Sequence, residues 1–212
     1  MGVSALLFAM AAKITALVPS LQAIVHNVDY FCGIIFFMEK LSMSGLSRKS
    51  VDEFRRSEKI PIVVVLDNIR SMHNVGSVFR TADAFLLQGI YLCGYTPQPP
   101  HRDIHKTALG ATETVEWKYA DNVTDVAKSL RDGGYRIFAV EQVKESIKLQ
   151  RFIFEQDEKL AVIFGNEVSG VGEEVLKMCE GCIEIPQLGM KHSLNISVAA
   201  GVVLWELVRT RI

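Results

Sequence analysis

The chain has 212 residues, of which 49% are hydrophobic and 22% charged. This is the composition of a globular protein, and it excludes a disordered or fibrous one. The chain has 23 Lys and Arg residues and 24 Asp and Glu residues, so its overall charge gives no support for strong nonspecific nucleic-acid binding. A near-neutral overall charge is compatible with a local basic patch. Four cysteines in a chain of this length do not form a disulfide scaffold.

Residues 1–42 differ from the rest of the chain, because they hold only four charged side chains and contain two apolar runs. The first run lacks a preceding basic region and is interrupted at Lys13, unlike a secretory signal peptide. Neither run reaches the roughly 20 residues of a membrane-spanning helix, so no stable membrane association is expected. Three interpretations stay open: a poorly structured extension (including one from a start codon placed too early), a helix or hairpin on the body, and a membrane-associated segment.

Residues 43–59 form a charged linker or helix, with five basic and three acidic residues between Arg48 and Lys59. One interpretation is a solvated helix with ion pairs along its surface. The other is that the basic residues contact a phosphate backbone. The basic residues in question are Arg48, Lys49, Arg55 and Arg56.

From residue 60 onwards, apolar runs typical of buried strands alternate with helical patterns, which predicts an α/β domain over 60–212 with a mostly parallel sheet flanked by helices. The predicted strands are 60–66, 89–93, 114–117, 135–140, 160–164 and 182–185. The predicted helices are 74–87, 104–109, 123–131, 173–178 and 193–209, and 94–102 is a loop.

Several common site patterns are absent: the first strand is followed by no G-x-G-x-x-G, and the chain has no Walker A or H-E-x-x-H motif. Cys179 and Cys182 form a lone C-x-x-C at a helix-to-strand junction, where packing is favoured over metal or redox chemistry. His101 and His105 have no acidic or cysteine residue at ligand spacing, which favours a surface or RNA-facing role. No metal is expected.

Three loops follow the carboxyl ends of predicted strands, which is where open α/β sheets place their ligands. The first leads into a helix at Asn74, a residue suited to a helix N-cap, and continues through Gly76 to Arg80. Taken alone, such a connection is also typical of an ordinary strand-to-helix turn.

The second and third loops have the same character. Glu167 lies between glycines at 165 and 170, and the third loop runs from Pro186 through Gly189 into a helix that Ser193 is expected to cap. Jointly, the three loops carry far more information than any one of them.

Together the three loops resemble, in order and in detail, the motifs of the SpoU/TrmH-like RNA 2′-O-ribose methyltransferases, which belong to the knotted SPOUT class. The resemblance covers residues 60 to 210, and residues 1–59 take no part in it. The motifs are Asn74-Val-Gly76 with Arg80-Thr-Ala82, Gly165-Asn-Glu167-Val-Ser-Gly170, and Ile185-Pro186 with Gly189 and Ser193-Leu194-Asn195-Ile-Ser197-Val-Ala199.

The resemblance implies an α/β domain with a deep C-terminal trefoil knot, a rare exception to the rule against knots. It also implies S-adenosylmethionine as the methyl donor, and a homodimer formed through the knot and the C-terminal helix. The apolar character of residues 194–208 around nearly the whole helix fits either a dimer interface or a buried core helix. An RNA substrate implies a cytoplasmic location.

By resemblance, the catalytic residues are Arg80, Asn74, Glu167, Ser193 and Asn195. A guanidinium has a pKa above about 12, so we expect Arg80 to orient a phosphate and stabilise charge on the ribose oxygen rather than to act as the base. The others would position the loops and the ribose, with Glu167 sharing hydrogen bonds with Asn74. The cofactor-binding residues implied are Gly165, Asn166, Glu167, Gly170, Ile185, Pro186, Gly189, Ser193 and Leu194.

The RNA is expected to be tRNA, because the stretch from Ile104 to Ala111 with Trp117 resembles tRNA-modifying relatives. An rRNA substrate stays open, since no separate RNA-binding domain is recognisable. Two other classes also stay open: a noncatalytic RNA-binding protein of this fold, and an enzyme that methylates a base nitrogen. The Ser193-Leu194-Asn195 signature beside Arg80 favours ribose methylation over both, and a nicotinamide enzyme is disfavoured because the phosphate fingerprint is missing.

Overall fold

The computed structural model describes residues 49–190 and 193–212, and the predicted extension at 1–42 lies outside them. Seven strands form one sheet in the order β3-β2-β1-β6-β4-β7-β5, and every paired neighbour is parallel. The predicted parallel α/β architecture is therefore confirmed. The strands are β1 Ile60–Asp67, β2 Leu87–Cys93, β3 Trp117–Ala120, β4 Arg136–Val140, β5 Ile147–Lys148, β6 Leu160–Phe164 and β7 Gly181–Glu184.

Helices cover both faces of the sheet. They are α1 Val51–Arg56, α2 Met72–Ala84, α3 Arg102–Ala108, α4 Ala111–Thr114, α5 Val123–Asp132, α6 Glu173–Leu176 and α7 Ile196–Val208, and a 3₁₀ turn spans Leu149–Arg151. One core cluster joins the sheet to α1, α2, α3, α4 and α7, and a second joins it to α5 and α6. No helix among the described residues is long and apolar enough to cross a membrane.

β1 is an inner strand of the sheet, between β2 and β6, and contributes to both cores. Ile62, Val64 and Leu66 face one core, and Val63 and Val65 face the other, because successive side chains of a strand point to opposite faces. After β1 the chain builds β2 and β3 on one side and the remaining strands on the other. The change of direction makes the loops beside β1 and β6 the expected ligand site.

The structure moves two predicted boundaries near the edge strand. The strand expected at 114–117 begins at Trp117, because Gly110 adopts φ 91° and starts the short helix α4. The Thr114 hydroxyl donates to the Ala111 carbonyl within that helix and also to the Asp83 carboxylate of α2. β5 and the 3₁₀ turn were not predicted, since two or three residues carry no detectable period.

The two helices that follow the site loops begin at other residues than predicted. Ser71, not Asn74, caps α2, and its hydroxyl accepts a hydrogen bond from the Asn74 backbone amide. Asn195, not Ser193, caps α7 and accepts from the amide of Ser197. Both predicted caps were wrong because several residues able to cap lie within a few positions of each helix start, and only the backbone selects among them.

α1 packs on the domain as well as carrying charge. A Ser50–Glu53 capping box begins it, and Phe54 is buried in the core beneath α4. Arg55 donates to the Glu113 carbonyl of α4 over 2.8 Å. None of the ion pairs formed by residues 49–190 and 193–212 lies within α1, so the predicted helix is present without the expected internal pairs.

Candidate active site at the carboxyl ends of the strands

A cavity of about 480 Å³ opens at the carboxyl ends of β4, β6 and β7. This volume is in the range of small-molecule and cofactor sites. Its walls come from the ends of these strands, the loop 165–170, and the segment that leads into α7. The residues that line it are Val140, Glu141, Gln142, Phe164, Gly165, Asn166, Glu167, Val168, Gly170, Ile183, Glu184, Ile185, Gln187, Ser193, Leu194, Asn195, Ile196 and Ala199.

The loop after β6 is a tight turn organised by Asn166. Its backbone pairs with Gly170 in both directions, at 3.2 and 2.9 Å, and its side-chain oxygen accepts from the amides of Val168 and Ser169. The amide group of the same side chain donates to the Asn68 carbonyl at the end of β1. The turn therefore presents Glu167 at its tip in a fixed position.

Glu141, the residue after β4, fastens this turn to the sheet. Its carboxylate accepts from the Val171 amide at 3.0 Å and from the Gln142 amide at 2.9 Å. Gly170 has φ 65°, and a Cβ there would overlap the Glu141 carboxylate. A Cβ on Gly165 would overlap the Gly170 backbone. Gly170 is thus required by close packing of the turn against Glu141, and Gly165 by close packing within the turn itself.

Residues of all three motifs meet in one hydrogen-bonded chain. The Asn195 side-chain amide donates to Asn74 Oδ1 at 3.2 Å, and the Asn74 amide donates to Glu167 Oε1 at 3.3 Å. The second Glu167 oxygen accepts from the Arg70 backbone amide. The expected hydrogen bond between Glu167 and Asn74 is therefore present, and it joins α2 to the mouth of the cavity.

The end of β1 supports this arrangement through Asn68. This residue adopts φ 55°, and its side-chain oxygen accepts from the Tyr95 amide. Its amide group donates to the buried Asp67 carboxylate at 2.8 Å. Burial raises the pKa of Asp67 above the ordinary value for aspartate.

Most of the predicted cofactor-binding residues come together in this cavity. Seven of the nine line it: Gly165, Asn166, Glu167, Gly170, Ile185, Ser193 and Leu194. Pro186 and Gly189 belong to the same loop but do not line the cavity, and a Cβ on Gly189 would meet open space.

Arg80 lies elsewhere on α2 and does not line the cavity. It lies six positions after Asn74, and at about 100° per residue the two side chains leave different faces of the helix. Its side chain is exposed and has no hydrogen-bond or ionic partner among residues 49–190 and 193–212. The guanidinium is therefore available to a ligand or to a second molecule.

Sequence analysis missed Glu141, Gln142 and Gln187, which also line the cavity. Glu141 follows a buried strand at the ligand-binding edge of the sheet, and that placement was the signal available for it. Only the structure shows that the Glu141 carboxylate accepts hydrogen bonds from the backbone amides of Val171 and Gln142.

The described cysteines do not form a metal site. Cys93, Cys179 and Cys182 are free thiols, and the described residues contain no group of three or more acidic, His or Cys side chains suited to a metal ion. Burial raises the pKa of Cys179 to about 12, so its thiol stays protonated at neutral pH and contributes to packing.

α7 has one buried and one exposed apolar face. Ala200, Val203, Leu204 and Leu207 are fully buried. On the other side Val198, Val202 and Trp205 expose 52%, 41% and 49% of their surface. The helix is therefore a core element with an uncovered apolar stripe along it.

A sequence model of the SpoU rRNA methylase family matches residues 61–205. The chain belongs to this family. It is 31% identical over 165 residues to the tRNA (guanosine(18)-2′-O)-methyltransferase of Thermus thermophilus, a match that covers 78% of this chain and 83% of the relative.

Solved structures of SpoU family members have the same fold. A TrmH/SpoU tRNA-modifying enzyme of A. aeolicus superposes with a TM-score of 0.68 at 27% identity, over 76% of this chain and 80% of that one. An AdoMet-bound rRNA methyltransferase from Sinorhizobium meliloti superposes with a TM-score of 0.67 at 27% identity. That match covers 78% of this chain and 62% of the longer Sinorhizobium chain.

Proposed function

We propose that this SpoU family protein transfers a methyl group from S-adenosylmethionine to a ribose 2′-hydroxyl of RNA, with tRNA as the first candidate substrate. The observation that carries the proposal is the convergence of all three motifs on one cavity, through the chain of hydrogen bonds from Asn195 through Asn74 to Glu167. The Thermus relative that is 31% identical is a tRNA (guanosine(18)-2′-O)-methyltransferase, which supports tRNA as the substrate. The similarity to the rRNA methyltransferase from Sinorhizobium meliloti makes rRNA the second candidate substrate.

The cavity fits S-adenosylmethionine in size and in the chemistry of its walls. Ile185 and Leu194 supply apolar surface for an adenine ring, and Gly165 and Gly170 allow the closely packed turn that forms one wall of the cavity. The exposed Ser193 hydroxyl and the Gln187 amide add donors and acceptors. When bound, the cofactor supplies an electrophilic methyl group on a sulfonium.

The protein's own residues then have two tasks. The hydrogen bonds that join Asn74, Glu167 and Asn195 hold the site loops in place. In this proposal the same three residues also position the ribose. Arg80 neutralises an RNA phosphate and the negative charge that develops on the attacking 2′-oxygen. Because a guanidinium does not give up its proton near neutral pH, another acceptor, an RNA phosphate oxygen, takes the proton.

The active form is proposed to be a homodimer. The exposed stripe of Val198, Val202 and Trp205 on α7 is apolar. Leu194, which lines the cavity, comes just before this helix in the chain. A two-fold contact along this stripe would remove it from water and would bring a second protomer to the Arg80 side of the site. The deep trefoil knot of the family and a cytoplasmic location are part of the same proposal.

The test is incubation of the purified protein with S-adenosylmethionine carrying a labelled methyl group and with unmodified tRNA and rRNA fractions. Digestion to nucleosides and mass spectrometry then locate the label. Label on a 2′-O-methylnucleoside from tRNA is the expected result, and label from rRNA supports the second candidate. Label on a base contradicts ribose methylation. Cofactor binding without label from any RNA favours the noncatalytic protein.

A further inference from the structure

A second cavity, of about 690 Å³, lies between α3, α4 and the start of β3. It shares no lining residue with the cavity at the strand ends. Its walls consist of the residues Pro99, Pro100, His101, Arg102, Ile104, His105, Lys106, Thr112, Glu113 and Trp117. This second cavity is called the α3 cleft below because α3 supplies four of its ten lining residues.

Trp117 is the one aromatic ring other than histidine that lines the α3 cleft. It is partly buried, and no described residue accepts a hydrogen bond from its indole N–H. The indole nitrogen is reachable by solvent. The cleft thus offers a flat ring together with an unused donor.

The rim of the cleft is cationic. Arg102 is exposed and has no partner among residues 49–190 and 193–212. Lys106 also lines the cleft, although its charge is shared with Asp103 at 2.7 Å. The guanidinium of Arg55 is held at the Glu113 carbonyl, which brings a further positive charge to the rim. Glu113 is the one carboxylate in the lining.

The α3 cleft is rigidly coupled to the helix that carries the reactive residues. α3 packs against α2 so closely that a Cβ on Gly76 would overlap the Thr107 hydroxyl and the Ile104 carbonyl. The Thr107 hydroxyl donates to the His73 carbonyl at 3.0 Å. A ligand fixed in the cleft is therefore fixed relative to Asn74 and Arg80 as well.

We propose that the α3 cleft binds one nucleotide of the RNA substrate, distant from the nucleotide that is methylated. The base stacks on Trp117, and the flanking phosphates contact Arg102 and Arg55. An aromatic platform with cations on its rim is how proteins bind a single unpaired nucleotide. The same cationic rim disfavours an apolar peptide. This inference rests on the proposed function, because it assumes that the substrate is RNA.

The experiment uses the full chain and a tRNA transcript that lacks 2′-O-methyl groups and has 4-thiouridine incorporated in place of some uridines. Dissociation constants are measured by fluorescence anisotropy as a function of salt, and photocrosslinked peptides are identified by mass spectrometry. Four variants are compared with the wild type: Trp117→Leu, Trp117→Phe, Arg102→Ala and, as control, Lys128→Ala. Lys128 is an exposed cation on α5, on the opposite face of the sheet.

We expect crosslinks in the segment 99–117 and a dissociation constant for tRNA that Trp117→Leu raises roughly tenfold, as loss of one stacked base would. Trp117→Phe should recover most of this loss, since phenylalanine also stacks. Arg102→Ala should weaken binding and reduce the slope against salt by about one phosphate contact. Lys128→Ala should match the wild type, and all variants should bind S-adenosylmethionine equally well.

The outcomes separate this inference from the proposed function. If the wild type methylates and binds the transcript, but Trp117→Leu and Arg102→Ala bind it equally well, the α3 cleft has no role and the proposed function stands. If the wild type neither binds nor methylates the transcript or rRNA, both fail. If Trp117→Leu does not fold, Arg102→Ala, Trp117→Phe and the crosslinks decide the question.

Discussion

The side-chain amide of Asn74 donates to the carboxylate of Glu167, 93 positions later in the chain, over 3.3 Å. The same Asn74 side chain accepts from Asn195, so its donor and its acceptor are both engaged. One asparagine at the start of α2 therefore holds together the turn after β6 and the cap of α7. The cavity edge is thus built by three segments that are far apart in sequence, and its geometry depends on each of them.

This chain of hydrogen bonds is open to a double-mutant test. Asn74→Asp should place two carboxylates against each other and lower kcat/KM for methyl transfer at least tenfold. Adding Glu167→Gln restores a donor and an acceptor with their roles exchanged, so the double variant should recover part of the loss. The coupling free energy should be about 1 kcal/mol or more. Additive effects of the two substitutions would show that the bond does not matter for the reaction.

Arg80→Ala should abolish most methyl transfer and leave cofactor binding intact. Arg80 does not line the cavity and has no partner among the described residues, so its loss removes charge stabilisation without disturbing the fold. Loss of one such donor typically reduces kcat by about 10²–10³-fold. The measurements are single-turnover methylation and the dissociation constant for S-adenosylmethionine. Arg151→Ala, at an exposed arginine on the 3₁₀ turn, is the control. Turnover retained in Arg80→Ala would remove Arg80 from the mechanism.

Glu141 should act on cofactor affinity rather than on the chemical step. Glu141→Ala leaves the Val171 amide without its acceptor and frees the turn 165–170, so the dissociation constant for S-adenosylmethionine should rise roughly tenfold. Glu141→Gln keeps one acceptor oxygen and should lose less. Calorimetric titration of the cofactor checks both. Equal affinity in Glu141→Ala and wild type would mean that the turn holds its shape without this tether.

Gly170→Ala provides a matched test of the same contact. In the wild-type background the new methyl group overlaps the Glu141 carboxylate and adds strain at φ 65°. In the Glu141→Ala background the overlap is gone and only the backbone strain remains. Gly170→Ala should therefore cost less cofactor affinity in that background than in the wild type. An equal loss of cofactor affinity in both backgrounds would show that glycine is required at this position only because of its positive φ.

Trp205→Asp should convert a dimer into a monomer. Trp205 lies 6.0 Å from Phe85 between ring centroids and exposes half of its surface on α7, so a charge there would be buried in the proposed interface at high cost. Light scattering coupled to size-exclusion chromatography measures the mass. Ile153→Asp is the control, because Ile153 is 84% exposed on the loop after the 3₁₀ turn and does not belong to the exposed apolar stripe of α7. A wild-type monomer at micromolar concentration would contradict the proposed interface directly.

The sequence predicted the parallel sheet and the loops that meet at the cavity because both depend on local signals. The buried run at β1 and the three loops after strands can each be recognised without a partner. Contacts between distant segments were not predictable in this way. Nothing in the sequence distinguishes Glu141 from another acidic residue after a strand. The caps Ser71 and Asn195 could not be identified because neighbouring residues are equally able to cap a helix.

Asp67 gives a prediction about stability and pH. Burial raises its pKa in the folded state, whereas in the unfolded chain aspartate titrates near pH 4. Ionisation therefore costs folding free energy as the pH rises from about 4 through the raised pKa, and above that the cost stays constant. Asp67→Asn should make the protein more stable than the wild type at neutral pH, and the difference should shrink towards pH 4. Urea unfolding at several pH values measures this, with the exposed Asp132→Asn on α5 as control. A difference that does not change with pH would show that Asp67 contributes through its shape and hydrogen bond to Asn68, not through its charge.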